Sequence, residues 1–391
     1  MKLTNMLASA SIAILALASC QKEKNPSQQE ILSKENIAAE QTVAPEARGY
    51  GNQRGFVYTL SNQTSGNEVL VYRRAADGSL TYKAAYNAGG TGSGGGLGNQ
   101  GAVVISADDD VLLAVNAGSN SVSSFKITGN GLNLKSTVSS GGEKPVSIAQ
   151  HGRLVYILNA GGTGNIAGFR LGNNNELNPL ANSSRPLSSD MSGAAQISFV
   201  RNGHVLVITE KATNKIITYT VNPDGTEGMM HSIISASPTP FGFAPGRFGN
   251  IYVSEAVGGA ANASNVSSYR VAYNGSISLS EGPVATGQSA ACWVVLTDNG
   301  KNIFTTNTAS NTLSSYDVHQ YTGNINIRQS IAATSGMGPI DAALTDNSKY
   351  LYVLNGGGHS ISAYAVGNDG SLTSLQETAG LPVGANGLAA D

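Results

Sequence analysis

The chain has 391 residues, a net charge of −2, only 12% charged residues and 48 glycines. A weakly acidic chain without a basic stripe is a poor match for nucleic acid. Abundant glycine with few charges suits short strands and tight turns rather than long amphipathic helices.

The first predicted element is a leader. Lys2 supplies a positive start, residues 6–18 are mostly apolar, and LASC at 17–20 ends the run at a cysteine. The run is too short to span a membrane as a helix and reads as a secretory signal over residues 1–19. LASC resembles the lipobox of bacterial lipoproteins, which implies cleavage before Cys20 and lipidation of its thiol; an ordinary signal with an incidental cysteine is the alternative. Gln21, in place of Asp, is similar to outer-membrane sorting signals and implies a cell-envelope location, periplasmic or surface-exposed. Residues 20–49 then form a polar, aromatic-free tether that cannot bury enough apolar surface to order itself.

From residue 50 to 391 the sequence repeats seven times. One strand of each copy closes on an aromatic: VLVYRR (69–74), SVSSFKI (121–127), NIAGFRL (165–171), KIITYTV (215–221), NVSSYRV (265–271), TLSSYDV (312–318) and SISAYAV (360–366). Tyr72, Phe125, Phe169, Tyr219, Tyr269, Tyr316 and Tyr364 are the anchors. A period of this length with four short strands per copy predicts an all-β, seven-bladed β-propeller of four-stranded antiparallel blades. Such blades bury their faces only against neighbours, so the repeats form one domain. Asp-Gly at 77–78, 224–225 and 369–370 and Asn274-Gly275 predict hairpins between the third and fourth strands, c and d. The first copy starts at its second strand, b, while GANGLAAD at 384–391 reads as a lone innermost strand, a. The C-terminal strand is therefore expected to close the ring.

Repeat alignment turns equivalent positions into rings. The ends of the b strands are Ser61, Asn116, Asn159, Glu210, Glu255, Asn307 and Asn355. For the Ser and Asn members, turn chemistry is the expected role, with Asn307 and Asn355 also facing a ligand if the mouth holds one. Glu210 and Glu255 depart from the ring on adjacent blades. They are candidates to share a proton, to act as acid and base, or to hold a divalent cation; the plainer reading pairs Glu210 with Lys211 or Lys215. No other cofactor is suggested. The inner column is Ser147, Gln196, Gly242, Trp293, Asp341 and Asn386. Asp341 interrupts an apolar strand, as a catalytic acid or a structural hydrogen bond. Trp293, the single Trp, and Gln196 are candidate ligand contacts. Gln100, Lys144, Arg185 and Gln288 fall in predicted connections at the same mouth, with Lys144 and Arg185 suited to an anionic group. GLGNQG at 96–101 matches a dinucleotide fingerprint but precedes a strand, which argues against that use.

The blade texture, as in GKNIFTTNTASNTLSSYDV (300–318) and SKYLYVLNGGGHSISAYAV (348–366), resembles the seven-bladed lactonase family. That family includes 6-phosphogluconolactonases and muconate-cyclising enzymes, and the resemblance implies a lactonase or cycloisomerase. Active members typically open one inner strand with a His-Pro-His-like motif. Here the strands open GAAQIS, TPFGF, AACWV and GPIDA, without histidine. Two readings follow. One is an exported, lipid-anchored enzyme hydrolysing a sugar lactone or related cyclic ester, using Glu210, Glu255, Asp341 and Arg185. The other is a non-catalytic propeller binding a glycan, small ligand or protein. A monomer whose only membrane contact is its lipid suits both.

Overall fold

A computed structural model describes residues 55–391. The leader, Cys20 and the tether over residues 20–49 lie outside them.

Seven four-stranded antiparallel sheets form the blades. Blade 1 pairs Asn386–Ala390 (strand a) with Gly55–Leu60, Glu68–Arg74 and Leu80–Asn87. Blade 2 runs Val103–Ile105, Val111–Asn116, Ser121–Thr128 and Gly131–Ser139. Blade 3 runs Pro145–His151, Leu154–Asn159, Asn165–Leu171 and Leu177–Pro186; blade 4 runs Ala194–Val200, Val205–Glu210, Lys215–Val221 and Glu227–Ile234. Blade 5 runs Pro240–Pro245, Asn250–Glu255, Asn265–Val271 and Ile277–Ala285; blade 6 runs Ala291–Leu296, Asn302–Asn307, Thr312–Val318 and Ile325–Thr334. Blade 7 runs Pro339–Leu344, Tyr350–Asn355, Ser360–Val366 and Leu372–Ala379. The last strand of the chain pairs with the first, as the offset in the repeats requires. Strand a thus has a partner in every blade, and no long inner edge is left open.

All seven aromatic anchors on the c strands are buried between blades. Burying one such ring stabilises by about 1.5–3 kcal/mol. Tyrosines on the b strands add directed bonds from blade to blade. Tyr156 Oη donates to the Gly225 carbonyl at 2.6 Å, and Tyr352 Oη donates to the Gly78 carbonyl at 2.8 Å. The Asp-Gly turns therefore serve twice, closing one hairpin and docking the neighbouring blade.

One local device recurs around the axis. Pairing of strand a with strand b slips just after Pro145, Ala194, Pro240, Ala291 and Pro339. A β-bulge at this point bends the strand and re-aims the next side chain. The residues that follow are Ser147, Gln196, Gly242, Trp293 and Asp341, the inner column read from the repeats.

Candidate functional site

The mouth on the side of the d–a and b–c connections is not open. The connection from blade 1 to blade 2, residues 88–102, runs across it and places Asn99 and Gln100 over the axis. Gln100 reaches blade 6 on the far side: its Nε2 donates to the Val294 carbonyl at 2.9 Å, and Val294 N donates back to Oε1 at 3.2 Å. Gln100 N donates to the Ala195 carbonyl of blade 4 at 3.1 Å. The Gln100 carbonyl accepts from Ser147 Oγ of blade 3 at 2.6 Å. Trp293 Nε1 donates to the Asn99 carbonyl at 2.6 Å. Glycine is required by the path: Gly98 and Gly101 have φ of +62° and +83°, and a Cβ at Gly242 would overlap the Gln100 side chain. GLGNQG is thus a stopper, which explains a glycine pattern that leads into a strand.

Lys211, half-buried on blade 4, holds the stopper from above. Its ammonium donates to the Gly98 carbonyl and lies 4.5 Å from the centre of the Phe241 ring. Burial, reinforced by the nearby charge of Lys144, pushes its pKa down to about 7.

Beneath the stopper the channel encloses a cavity of 310 Å³, walled by a strands of blades 1, 2, 3, 4 and 7. Gln100, Gln196 and Asp341 line it, and Asp109 and Asp346 stand in the a–b turns at its opposite end. Asp341 is buried, and burial holds its carboxyl well above the usual carboxylate range. Backbone N–H groups of Ala342 at 2.8 Å and Leu388 at 3.0 Å donate to its two oxygens and moderate that shift. Asp109 is also raised, first by desolvation and then by the adjacent carboxylates of Asp346 and Asp108. Asp391, next to the cavity wall, is pushed up to about 6, chiefly by burial, while the Phe56 N–H bond opposes the shift. The arrangement offers carboxylate acceptors at the rim and the buried Asp341 carboxyl, its proton affinity raised by desolvation, inside. It suits a small ligand rich in hydroxyl or amine groups.

The sequence-derived candidates divide. Gln196 and Asp341 do reach the channel, although both are tied to neighbouring strands: Gln196 exchanges two hydrogen bonds with the Phe243 backbone, at 2.6 and 2.9 Å. Trp293 is 1% exposed, packed at 4.8 Å from Phe241 and beneath the stopper, so it is no open stacking platform. Arg185 lies on the outermost strand of blade 3 and faces Glu227 at 3.7 Å, away from the mouth where the sequence reading put it. Lys144 is exposed in the connection between blades 2 and 3 and neighbours Lys211 instead.

Glu210 and Glu255 are fully buried. Glu210 accepts from the backbone N–H of Ser188 at 2.9 Å and from the hydroxyls of Ser188 and Thr213, rather than pairing with Lys211 or Lys215. Glu255 accepts from Ser235 Oγ, Ser237 N, Ser267 Oγ and Tyr269 Oη at 2.5–3.1 Å. Burial raises its carboxyl, and these donors counter the rise. Both carboxylates moor the preceding d–a connection to their blade. Their oxygens point at donors, an arrangement unsuited to a shared cation. Among the described residues no cluster of three or more His, Cys, Asp or Glu side chains has metal-site geometry. Asn307 and Asn355 are buried too: each Nδ2 donates to hydroxyls five and seven residues on, pinning strand c to strand b.

Asp109 and Asp346 were not singled out in the sequence. Turn-rich Asp is common, and nothing in the linear pattern says that two such turns flank one opening. Gln100 was placed at the mouth, but its reach across the axis depends on the loop path.

The fold is a seven-bladed propeller with a cavity on its axis, and sequence comparison supplies the family. The model of the family described as "Lactonase, 7-bladed beta-propeller" matches residues 49–183 and 272–388, well over half of the chain. The chain belongs to that family. No curated protein sequence matches it significantly. Among solved structures it is similar to a protein from Lactobacillus plantarum, with TM-score 0.69, 17% identity and coverage of 87% of this chain and 100% of the other. The periplasmic gluconolactonase PpgL of Pseudomonas aeruginosa aligns with TM-score 0.66 and 15% identity over 85% and 99% of the two chains. A candidate 6-phosphogluconolactonase from Bacteroides fragilis aligns with TM-score 0.66 and 17% identity over 86% and 98%. At these identities the structural likeness concerns the fold.

Proposed function

We propose that this chain is a small-molecule-binding propeller of the lactonase family, anchored at the cell envelope, whose ligand enters the axial channel from the a–b turn face. One observation carries the reading: Gln100 bridges to Val294 across the opposite mouth, while the cavity beneath it reaches Asp109 and Asp346. The Asp109 and Asp346 carboxylates at the entrance favour a neutral or cationic ligand bearing hydroxyls or amines, such as a sugar or amino sugar, over phosphosugars. The envelope location rests on the LASC motif, and a Cys20→Ala variant is expected to leave the membrane fraction.

Family membership supports a second reading, hydrolysis of a sugar lactone, with Asp341, whose carboxyl burial holds above the usual carboxylate range, as the acid beside the cavity. The test is consumption of glucono-δ-lactone, followed by proton release, alongside calorimetric titration with glucose and glucosamine. The binding reading expects no rate above the spontaneous one and saturable binding that weakens in Asp109→Asn and Asp346→Asn. A saturable rate abolished by Asp341→Asn would replace it with the enzymatic one.

A further inference from the structure

On the outer part of the a–b turn face, blades 5 and 6 expose large aromatic rings. Phe248, Tyr273 and Tyr321 are 47%, 61% and 70% exposed. Phe248 also has φ of +59°, a left-handed conformation disfavoured for a bulky side chain. It stacks on Tyr321 of the next blade, with ring centres 4.9 Å apart and planes at 25°. Arg270 fixes both segments by donating to the Phe248 carbonyl at 3.5 Å and to the Tyr321 carbonyl. Two rings from different blades are therefore held in place while open to water.

Tyr321 also forms a wall of a 570 Å³ hollow between blades 6 and 7. In that hollow Arg328 bridges Asp317 at 3.0 Å and Asp369 at 3.5 Å, and Asn302 donates to Asp317 at 3.2 Å. Among the described residues, the side chains of Lys301 and Asn368, which also line it, have no hydrogen-bond partner.

From this juxtaposition we infer a second binding site, for a neutral polysaccharide, formed by the Phe248–Tyr321 stack and the Arg328 hollow. Pyranose rings present a face of weakly positive C–H groups to the negative π-face of an aromatic ring. Their hydroxyls suit planar amide, carboxylate and guanidinium groups, which supply paired donors and acceptors. Protein-binding surfaces deplete charge at their centre, whereas this hollow is built around an ion-pair network. Asp317 and Asp369 balance the charges of Arg328 and Lys301, so the hollow holds no surplus of positive charge for the phosphates of nucleic acid.

The experiment is native affinity electrophoresis of the full chain in gels cast with galactomannan, glucomannan, laminarin or mucin. At least one neutral polysaccharide is expected to retard the protein. Tyr321→Ala is expected to weaken the apparent affinity about fivefold or more, as loss of an aromatic contact of about 1 kcal/mol requires, and Tyr321→Phe to preserve it. Phe248→Gly separates contact from folding: glycine adopts the left-handed conformation freely, so binding falls while the melting temperature does not. Asp109→Asn leaves retardation intact, because the channel is a different site. Retardation in none of the gels, only in mucin, or equally for Tyr321→Ala overturns the inference.

Discussion

Single residues here do their work through the completeness of their hydrogen bonding. Glu255 has four donors aimed at it, so Glu255→Gln swaps an acceptor oxygen for an NH2 group that confronts hydroxyl and N–H donors. The expected cost is about 1–3 kcal/mol, seen as a lowered urea midpoint with the blade fold retained. Lys211 makes a pH prediction. Its pKa falls from 10.5 unfolded to about 7 folded, so between those values the unfolded chain binds the extra proton. Stability should therefore rise with pH across that window. The contribution is read as the difference between wild type and Lys211→Met, since buried tyrosines such as Tyr72, raised to about 12, act in the opposite direction above pH 10. A flat difference between pH 7 and 10 would count against the assignment.

At the scale of elements, the decisive one has no regular structure. Residues 88–102 close the mouth because glycines permit the path and Gln100 matches a peptide unit of blade 6 with both a donor and an acceptor. Trp293, the only tryptophan, reports on this closure. Acrylamide should quench it poorly in the wild type and more strongly in Gln100→Ala, with a loss of about 1–3 kcal/mol of stability for the two bonds. Equal quenching in both proteins would mean that the stopper does not seal the channel. The repeated bulges at the start of strand a are the complementary element. They were not expected from the sequence, yet they explain why the aligned inner column faces the axis.

For the whole molecule, closure by the C-terminal strand governs stability. Residues 386–390 pair with Gly55–Leu60 and pack beside the inner strand of blade 7, and Leu388 N also satisfies Asp341. Removing them opens blade 1 and leaves a buried carboxyl short of a donor. A chain truncated after residue 384 is expected to lose its single cooperative thermal transition, and an unchanged melting curve would refute the role given to this strand. The seven blades, their strand order and this closure were legible in the linear sequence, because period, turn residues and strand alternation are local signals repeated seven times. So was the identity of the inner column. The roles within it were not. Whether Trp293 stacks on a ligand or lies under a loop, whether Glu210 and Glu255 face each other or their own serines, and which mouth of the channel is open all depend on contacts between segments far apart in sequence. Gln100 and Val294 meet only because the ring brings blade 6 opposite the first connection, and no periodicity in a chain records what its turns will be folded against.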